Sequence, residues 1–181
     1  MKIYNSEGAL LYENKSQPSN SSERKVEINE INLESQSLDI IEIHDVIFTG
    51  GNFNATKVYN SYFVRVEFEG SWLSDADFSG SKFKDCEFYD AQAYGAKLRN
   101  TNMSNVKYYG VNLSESDFTD AILNNVYFGK DNIGHKTDVS GVNFSNVDLN
   151  KVVFDSVIYS SSTLFPATFS PENHLGLKLR G

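Results

Sequence analysis

The sequence repeats with a period of five residues. From Ile28 to Ile133 every fifth residue is apolar or aromatic, a run of 22 positions whose smallest member is Ala93. Twelve of the thirteen phenylalanines fall in this column or its continuation, and Phe165 is the exception. Five is the period of neither an α-helix nor a flat strand. A fixed internal period predicts a solenoid, in which each unit completes its core by stacking on its neighbours.

The residues around the column predict the shape of each unit. Two positions before the column residue the chain is mostly small or β-branched, as at Val66, Ala76 and Cys86. Residues two apart in extended chain point to the same side, so both positions should face inward. Two positions after the column residue Gly, Asn and Asp predominate, as at Gly70 and Asp75. These residues accept positive φ, which predicts a corner after each short extended side.

These units resemble those of the pentapeptide-repeat family, which read roughly Ala/Ser–Asp/Asn–Leu/Phe–x–x. The clearest matches are 76–80, 96–100, 111–115, 116–120 and 142–146, and the resemblance covers about residues 26–171. It implies an all-β fold, a right-handed quadrilateral parallel β-helix with about twenty residues per coil and about seven coils. The resemblance implies little about function, because one fold can host many activities.

Regions outside the repeat are expected at both ends. Residues 1–25 are expected to form a β-hairpin cap that turns near Ser6–Gly8, followed by a polar loop. Such a hairpin would cover the open edge of the first coil. The β-helix should span 26–171, and 172–181 form a terminal cap or tail. This tail offers three leucines for capping or for a dimer through a rod end, namely Leu175, Leu177 and Leu179.

The repeat changes phase once. Ile133 is followed in the column by Val139 rather than by residue 138. We therefore expect one extra residue within Gly134–Asp138, as a bulge at a corner. Bulges are frequent at functional edges, although a tolerated surface insertion is the simpler interpretation.

Composition limits the classes of binding partner and the cellular location that we expect. The formal net charge of −8 argues against direct binding of nucleic acid or of an anionic membrane. The single cysteine, Cys86, excludes an intrachain disulfide and lies at an inward position. The N-terminus has no apolar stretch typical of a signal peptide, and no apolar run is long enough to cross a bilayer. A cytoplasmic location is expected, with secretion without a cleaved signal left open.

No catalytic or metal-binding pattern is recognisable. The three histidines, His44, His135 and His174, are far apart, and the coil geometry places the first two on different sides. Motifs of the Cys-x-x-Cys, phosphate-loop and nucleophile-elbow types are absent from the sequence. We therefore predict no enzyme activity, no catalytic residues, no metal site and no cofactor.

The outer surface provides the candidate site. Residues twenty apart should stack at about 4.8 Å, which places Tyr89 beside Tyr109 with Tyr127 one coil further on. Trp72 and Tyr94 should lie on the next side. Four carboxylates are expected beside Tyr89, and two of these, Glu67 and Glu87, should form an unfavourable like-charge pair. The aromatic–acidic surface is defined by Trp72, Tyr89, Tyr94, Tyr109, Glu67, Glu69, Glu87 and Asp90.

Three functions are consistent with this surface. The leading hypothesis is a non-enzymatic scaffold that binds a protein partner through it, because exposed aromatic clusters are enriched at interfaces. The resemblance also implies an alternative, a DNA mimic that binds DNA gyrase and confers quinolone resistance, although Lys107, Lys130 and Lys151 interrupt the negative side. A second alternative is a bacterial effector that binds a host protein. Aromatic stacking that serves stability alone is also compatible with the pattern.

Overall fold

The computed structural model describes residues 2–4, 7–13, 25–38 and 40–180. Ser6 of the expected turn and the polar stretch 14–24 lie outside these residues. The described part of the chain contains eighteen short strands, which form a parallel β-solenoid preceded by a hairpin. It also contains a single 3₁₀ turn, Pro171–Asn173, and no α-helix. The all-β solenoid predicted from the period of five is confirmed.

Side 1 of the solenoid is a seven-stranded parallel sheet. Its neighbouring strands pair residues twenty apart up to Gly129, as in Phe68 with Phe88. The strands are β3 (Val26–Asn29), β6 (Val46–Thr49), β9 (Glu67–Glu69), β11 (Glu87–Tyr89), β13 (Lys107–Tyr109), β15 (Val126–Gly129) and β16 (Val152–Phe154).

Side 2 follows side 1 along the chain and is held mostly by single parallel bridges. Its column has eight levels, one more than the seven coils expected from the sequence. The levels are Asn32, Asn52, Trp72, Gln92, Asn112, Asp138, then β17 (Val157–Tyr159) and β18 (Leu177–Leu179).

Sides 3 and 4 complete each coil. Side 3 begins with β4 (Ser37–Leu38) and β7 (Lys57–Val58) and continues as bridges through Asp77, Lys97, Asp117, Asn143 and Leu164. Side 4 is a five-stranded parallel sheet. Its strands are β5 (Glu42–His44), β8 (Tyr62–Val64), β10 (Lys82–Lys84), β12 (Asn102–Ser104) and β14 (Ile122–Asn124).

The core is the pair of columns expected from the repeat. Side chains at the column and two positions before it are buried, including Phe68, Val66 and Cys86. Under side 1 the rings stack continuously, with centroids 4.7 to 5.5 Å apart. The stack runs through Phe48, Phe68, Phe88, Tyr108, Phe128 and Phe154. Each buried large apolar side chain contributes on the order of 1.5–3 kcal/mol, so the column itself stabilises the solenoid.

The corners have the backbone that the sequence predicts. Every Gly, Asn and Asp in the corner column between positions 45 and 125 has a positive φ, for example +57° at Asp75 and +50° at Asp90. Side 1 meets side 2 at a corner formed by Gly50, Gly70, Asp90 and Gly110, which we call corner 1–2. Residues without a left-handed preference, such as Arg65, also take this conformation.

The N-terminal hairpin is present. Strands β1 (Lys2–Tyr4) and β2 (Leu10–Glu13) pair in antiparallel fashion, with Ile3 opposite Tyr12. Ile3 is buried in the same hydrophobic cluster as the solenoid core, and Tyr12 packs against that cluster. The hairpin therefore adds apolar surface to the solenoid core.

The phase change is larger than expected. On side 1, Tyr108 pairs with Phe128, twenty residues later, whereas Phe128 pairs with Phe154, twenty-six residues later. Six residues are therefore inserted, not one. Together with the corner residue they make a seven-residue loop at 130–136, rather than a bulge at Gly134–Asp138. Ile133 is 74% exposed and lies outside the column. Counting by fives missed most of the insertion, because six residues equal one complete five-residue unit plus one residue. The period therefore shifts by only one position.

A second phase change follows near the C-terminus. Asn143 bridges Leu164, twenty-one residues later, so the inward position falls on Phe165. Phe165 stacks on Phe144 at 5.9 Å, while Leu164 is 53% exposed. The expectation that Phe165 is the one phenylalanine outside the column is therefore wrong.

Candidate functional site

Three tyrosines form a ladder on the outside of side 1. Tyr89 and Tyr109 are paired neighbours in the sheet, with ring centroids 6.2 Å apart. Tyr127 is paired with Lys107 and not with Tyr109, yet its ring lies 5.4 Å from that of Tyr109. The residue paired with Tyr109 is Gly129, so the Tyr127 ring leans over the glycine.

Tyr127 is held by the coil that follows. Its hydroxyl donates a hydrogen bond to Oδ2 of Asp155 at 2.9 Å. Burial, together with this bond to a carboxylate, raises the pKa of the Tyr127 phenol to about 12. The same bond holds the pKa of Asp155 below its ordinary value. Tyr127, the last tyrosine of the ladder, thus links its coil to the next one and also forms part of the outer surface.

The carboxylates of side 1 are partly neutralised. Glu67 and Glu87 are neighbours in the sheet, as predicted, but Lys25 pairs with Glu67 and Lys107 donates to Glu87 at 2.8 Å. The like-charge pair that the sequence predicts is therefore present, but each glutamate has a lysine partner. Exposed pairs of this kind contribute roughly 0–1 kcal/mol each, so they set the charge pattern more than the stability.

Glu69 differs from Glu67 and Glu87 in having no lysine partner among the described residues. It is exposed and paired in the sheet with Tyr89. Among the described residues its carboxylate has no hydrogen-bond or ion-pair partner.

The aromatic–acidic surface is concave in two places. One depression of about 230 Å³ is lined by Glu67, Glu69, Glu87, Tyr89 and Asn132. A wider one of about 340 Å³ is lined by Tyr89, Tyr109, Tyr127, Lys130, Asp131, Asn132 and Asp155. Both are open to solvent and share Tyr89 and Asn132, so the loop at 130–136 forms one wall of each.

The loop lies over corner 1–2. The Tyr89 hydroxyl donates a hydrogen bond to Oδ1 of Asn132, and the backbone amide of Asn132 donates to the same hydroxyl oxygen at 3.3 Å. At the base of the loop, the Thr137 hydroxyl donates to the carbonyl of Gly129 at 2.7 Å and accepts from the amide of Val111 at 3.2 Å. The loop is therefore anchored to three successive coils.

The buried side chain of Asp131 holds the backbone of the loop by hydrogen bonds. Its side chain is only 1% exposed, and Oδ1 accepts hydrogen bonds from the amides of Ile133 at 2.9 Å and His135 at 2.7 Å. Burial alone would raise the pKa of this carboxyl, but the amide hydrogen bonds outweigh burial and hold the pKa below its ordinary value. Asp131 also packs over Gly110, where a Cβ would lie 3.1 Å from its own Cβ.

Trp72 and Tyr94 lie on side 2, apart from the ladder. Their side chains are 57% and 49% exposed, and they occupy adjacent coils. Among the described residues, neither has an aromatic neighbour. The structure thus brings Glu67, Glu69, Glu87 and Tyr89 to one depression, with Tyr109 in the next, while Trp72 and Tyr94 are separately exposed on side 2.

Sequence reasoning missed the loop residues of the site. Asn132, Asp131 and His135 lie in an insertion that interrupts the repeat, and their positions depend on how the loop folds back. The only sequence signal was the phase change after Ile133. Asp90 of the predicted surface lies on corner 1–2, next to this loop.

Comparison with known proteins agrees with the repeat pattern. A family model described as "Pentapeptide repeat region" matches residues 61–137. This segment therefore resembles a pentapeptide repeat region, and the match covers less than half of the chain. The matched residues include β8 to β15 and the whole loop at 130–136. No match was found among curated proteins.

The chain also has matches among solved structures of pentapeptide repeat proteins. A pentapeptide repeat protein of the Arabidopsis thaliana thylakoid lumen is 23% identical, over 56% of this chain and 70% of that one, with a TM-score of 0.44. Full-length QnrB1, a plasmid-mediated fluoroquinolone resistance protein, is 15% identical over 86% and 94% of the two chains, with a TM-score of 0.35. HetL, involved in heterocyst differentiation regulation in the cyanobacterium Nostoc sp., is 16% identical over 77% and 62%, with a TM-score of 0.27. At these TM-scores the likenesses give no information about function.

In the part of the chain that the structure describes, no helix is long and apolar enough to cross a membrane.

Proposed function

We propose that this protein is a non-enzymatic scaffold that binds a protein partner through side 1 and the adjoining loop. The observation that carries the proposal is the depression in which Glu67, Glu69 and Glu87 meet Tyr89 and Asn132. Open, shallow depressions on a solid rod suit a protein surface better than an enclosed small molecule.

The chemistry of the depression favours a basic side chain of the partner. Glu69 offers an unpaired carboxylate beside the edge of the tyrosine ladder. A guanidinium can stack on a tyrosine ring while it hydrogen-bonds a carboxylate, which a lysine does less well. An arginine of the partner is therefore the expected contact at this position.

Matched variants test the proposal. Glu69→Lys reverses the unpaired charge, and Glu27→Lys makes the same change at an exposed position two coils earlier on side 1. Tyr109→Ser removes a ring of the ladder, and Tyr62→Ser removes an exposed ring on side 4. Each tagged protein is used to recover partners from a lysate of the source cells. The interaction with the recovered protein is then measured by calorimetry with both partners purified.

We expect the wild type and the two controls to bind one partner with similar affinity, and Glu69→Lys and Tyr109→Ser to bind at least tenfold more weakly. Equal binding by all five proteins would place the interface elsewhere, with the exposed Trp72 and Tyr94 of side 2 as the next residues to vary. DNA gyrase as the partner would favour the DNA-mimic alternative, and a host protein would favour the effector alternative. The pairing of Lys25 with Glu67 and of Lys107 with Glu87 interrupts the negative charge of side 1, which does not favour the mimic.

A further inference from the structure

We propose that Asp90, Asp131 and His135 form a site for a divalent transition-metal ion, with zinc as the ion to test. The three residues come from two separate segments, corner 1–2 and the loop at 130–136. Their ligand atoms all lie within 4.8 Å of one another.

The distances fit a single small ion. Nδ1 of His135 lies 3.0 Å from Oδ2 of Asp131 and 3.7 Å from Oδ1 of Asp90. A tetrahedral ion with bonds of about 2.1 Å holds its ligand atoms about 3.4 Å apart, between the two observed separations. Small side-chain rotations are therefore sufficient to place the three atoms around one ion.

The donor set selects the class of metal. One imidazole nitrogen with two carboxylates suits zinc and its first-row neighbours, which accept mixed nitrogen and oxygen ligands. Calcium requires six to eight oxygen ligands, and magnesium prefers oxygen donors and water in an octahedron. Three protein ligands leave a fourth position for water or for a group of a partner.

Hydrogen bonds already orient one of the three proposed metal ligands. Asp131 has its carboxylate buried at the base of the loop, with Oδ1 already oriented by two amides and Oδ2 directed at the imidazole. A ligand carboxylate held by hydrogen bonds in this way is the usual outer support of a metal site. Asp90 and His135, in contrast, are about half exposed, so an ion can enter from solvent.

The consequence of binding is a link between distant parts of the chain. The ion would join a corner of the coil that contains β11 to a loop 41 residues later in the sequence, which is otherwise held there by Asn132 and Tyr89. Zinc should therefore order the loop that walls both depressions of side 1. This inference is independent of the identity of any protein partner.

The test uses the untagged full-length chain, freed of metal with a chelator that is then removed. Zinc is titrated by calorimetry near pH 7.5, because metal affinity depends on pH. We expect one zinc per chain. Asp90→Asn and His135→Ala should each weaken binding about tenfold or more. Asp75→Asn is the matched control, because Asp75 and Asp90 are both corner aspartates with positive φ and asparagine tolerates that backbone.

A second measurement reports on the loop. Trypsin can cleave after Lys130 and Lys136, which are exposed at the two ends of the loop. We expect zinc to slow cleavage at both sites in the wild type and in Asp75→Asn, but not in Asp90→Asn. The proposal would be overturned if the wild type bound no zinc, or if Asp90→Asn and His135→Ala bound it as tightly as the wild type. Equal protection of wild type and Asp90→Asn by zinc would also overturn it.

Discussion

The ring of Tyr127 occupies the space above Gly129 that any side chain at position 129 would fill. A Cβ built on Gly129 would lie 2.3 Å from Cε1 and from the hydroxyl of Tyr127. The position of this ring completes the ladder with Tyr109 and brings the hydroxyl to Asp155. One glycine thus determines where the ladder ends.

Gly129→Ala should displace the Tyr127 ring. The ring contact with Tyr109 is worth about 0.5–1.5 kcal/mol, and the hydrogen bond to Asp155 contributes a similar amount. We expect the free energy of unfolding to fall by about 1–2 kcal/mol, measured by urea denaturation. Tyr127→Phe is the control, since it removes only the hydroxyl and should cost less. An alanine variant as stable as the wild type would contradict this account.

Tyr127 should make stability depend on pH in the alkaline range. Its pKa in the folded protein is about 12, against an ordinary value of about 10 for tyrosine. Between these two values the unfolded chain loses the proton first, so this contribution is complete below about pH 10 and is lost as the pH rises towards 12. Urea midpoints measured across this window should fall less steeply for Tyr127→Phe than for the wild type. Parallel slopes would show that the phenol ionises normally in the folded protein.

Gly110→Ala and Gly70→Ala should differ in their cost. Both glycines lie at corner 1–2 with positive φ, +64° and +56°, so alanine introduces the same backbone strain of about 1–2 kcal/mol at each. No atom lies within 4 Å of a Cβ at position 70, whereas at position 110 it meets Asp131. We expect the change at 110 to be the more destabilising by about 1 kcal/mol, because the loop must move.

The same pair of variants can be compared by proteolysis. Trypsin should cut faster after Lys130 and Lys136 in Gly110→Ala than in Gly70→Ala, since only the former displaces Asp131. Identical cleavage rates would mean that the loop does not depend on its packing over Gly110.

Cys86 should be unreactive in the folded protein. Its side chain is fully buried, and burial raises the pKa of the thiol to about 11. Because the thiolate is the reactive species, a chromogenic disulfide reagent should label Cys86 only as fast as the protein unfolds. Labelling in native buffer at the rate of a free thiol would contradict the placement of Cys86 in the core.

Replacement of Cys86 by serine should be nearly neutral. Ser71, Ser81 and Ser116 occupy equivalent inward positions, and each donates to the carbonyl 23 residues earlier, at 2.8–3.1 Å. The Cys86 sulfur makes the corresponding contact with the carbonyl of Phe63 at 3.4 Å. We expect Cys86→Ser to change the free energy of unfolding by less than about 1 kcal/mol, because the hydroxyl finds an existing acceptor. A loss of several kcal/mol in urea denaturation would show that the serine hydroxyl does not reach this carbonyl.

The features that the sequence predicted correctly are those that each unit determines locally. The inward positions and the left-handed corners repeat with the residues that favour them, so Cys86 and Asp75 could be placed without coordinates. The pairing of Tyr89 with Tyr109 and of Glu67 with Glu87 follows from the twenty-residue step alone.

The features that were missed depend on side chains that reach across coils or on breaks in the period. The Tyr127 ring leans towards Tyr109, although the register pairs Tyr127 with Lys107. Ile133 is apolar and in phase, so counting by fives placed it in the core, although it lies at the exposed tip of the loop. His135 and Asp90 come together only because that loop folds back onto an earlier coil.

The six-residue insertion leaves and rejoins the solenoid at two residues that are bonded to each other. The coil before the insertion closes at Gly129 and the coil after it resumes at Thr137, whose hydroxyl and amide both bond the Gly129 carbonyl. The entry and exit points of the excursion are thus tied together by the scaffold itself. We expect a segment of another length and composition, grafted between these two residues, to leave the coils above and below stacked in register.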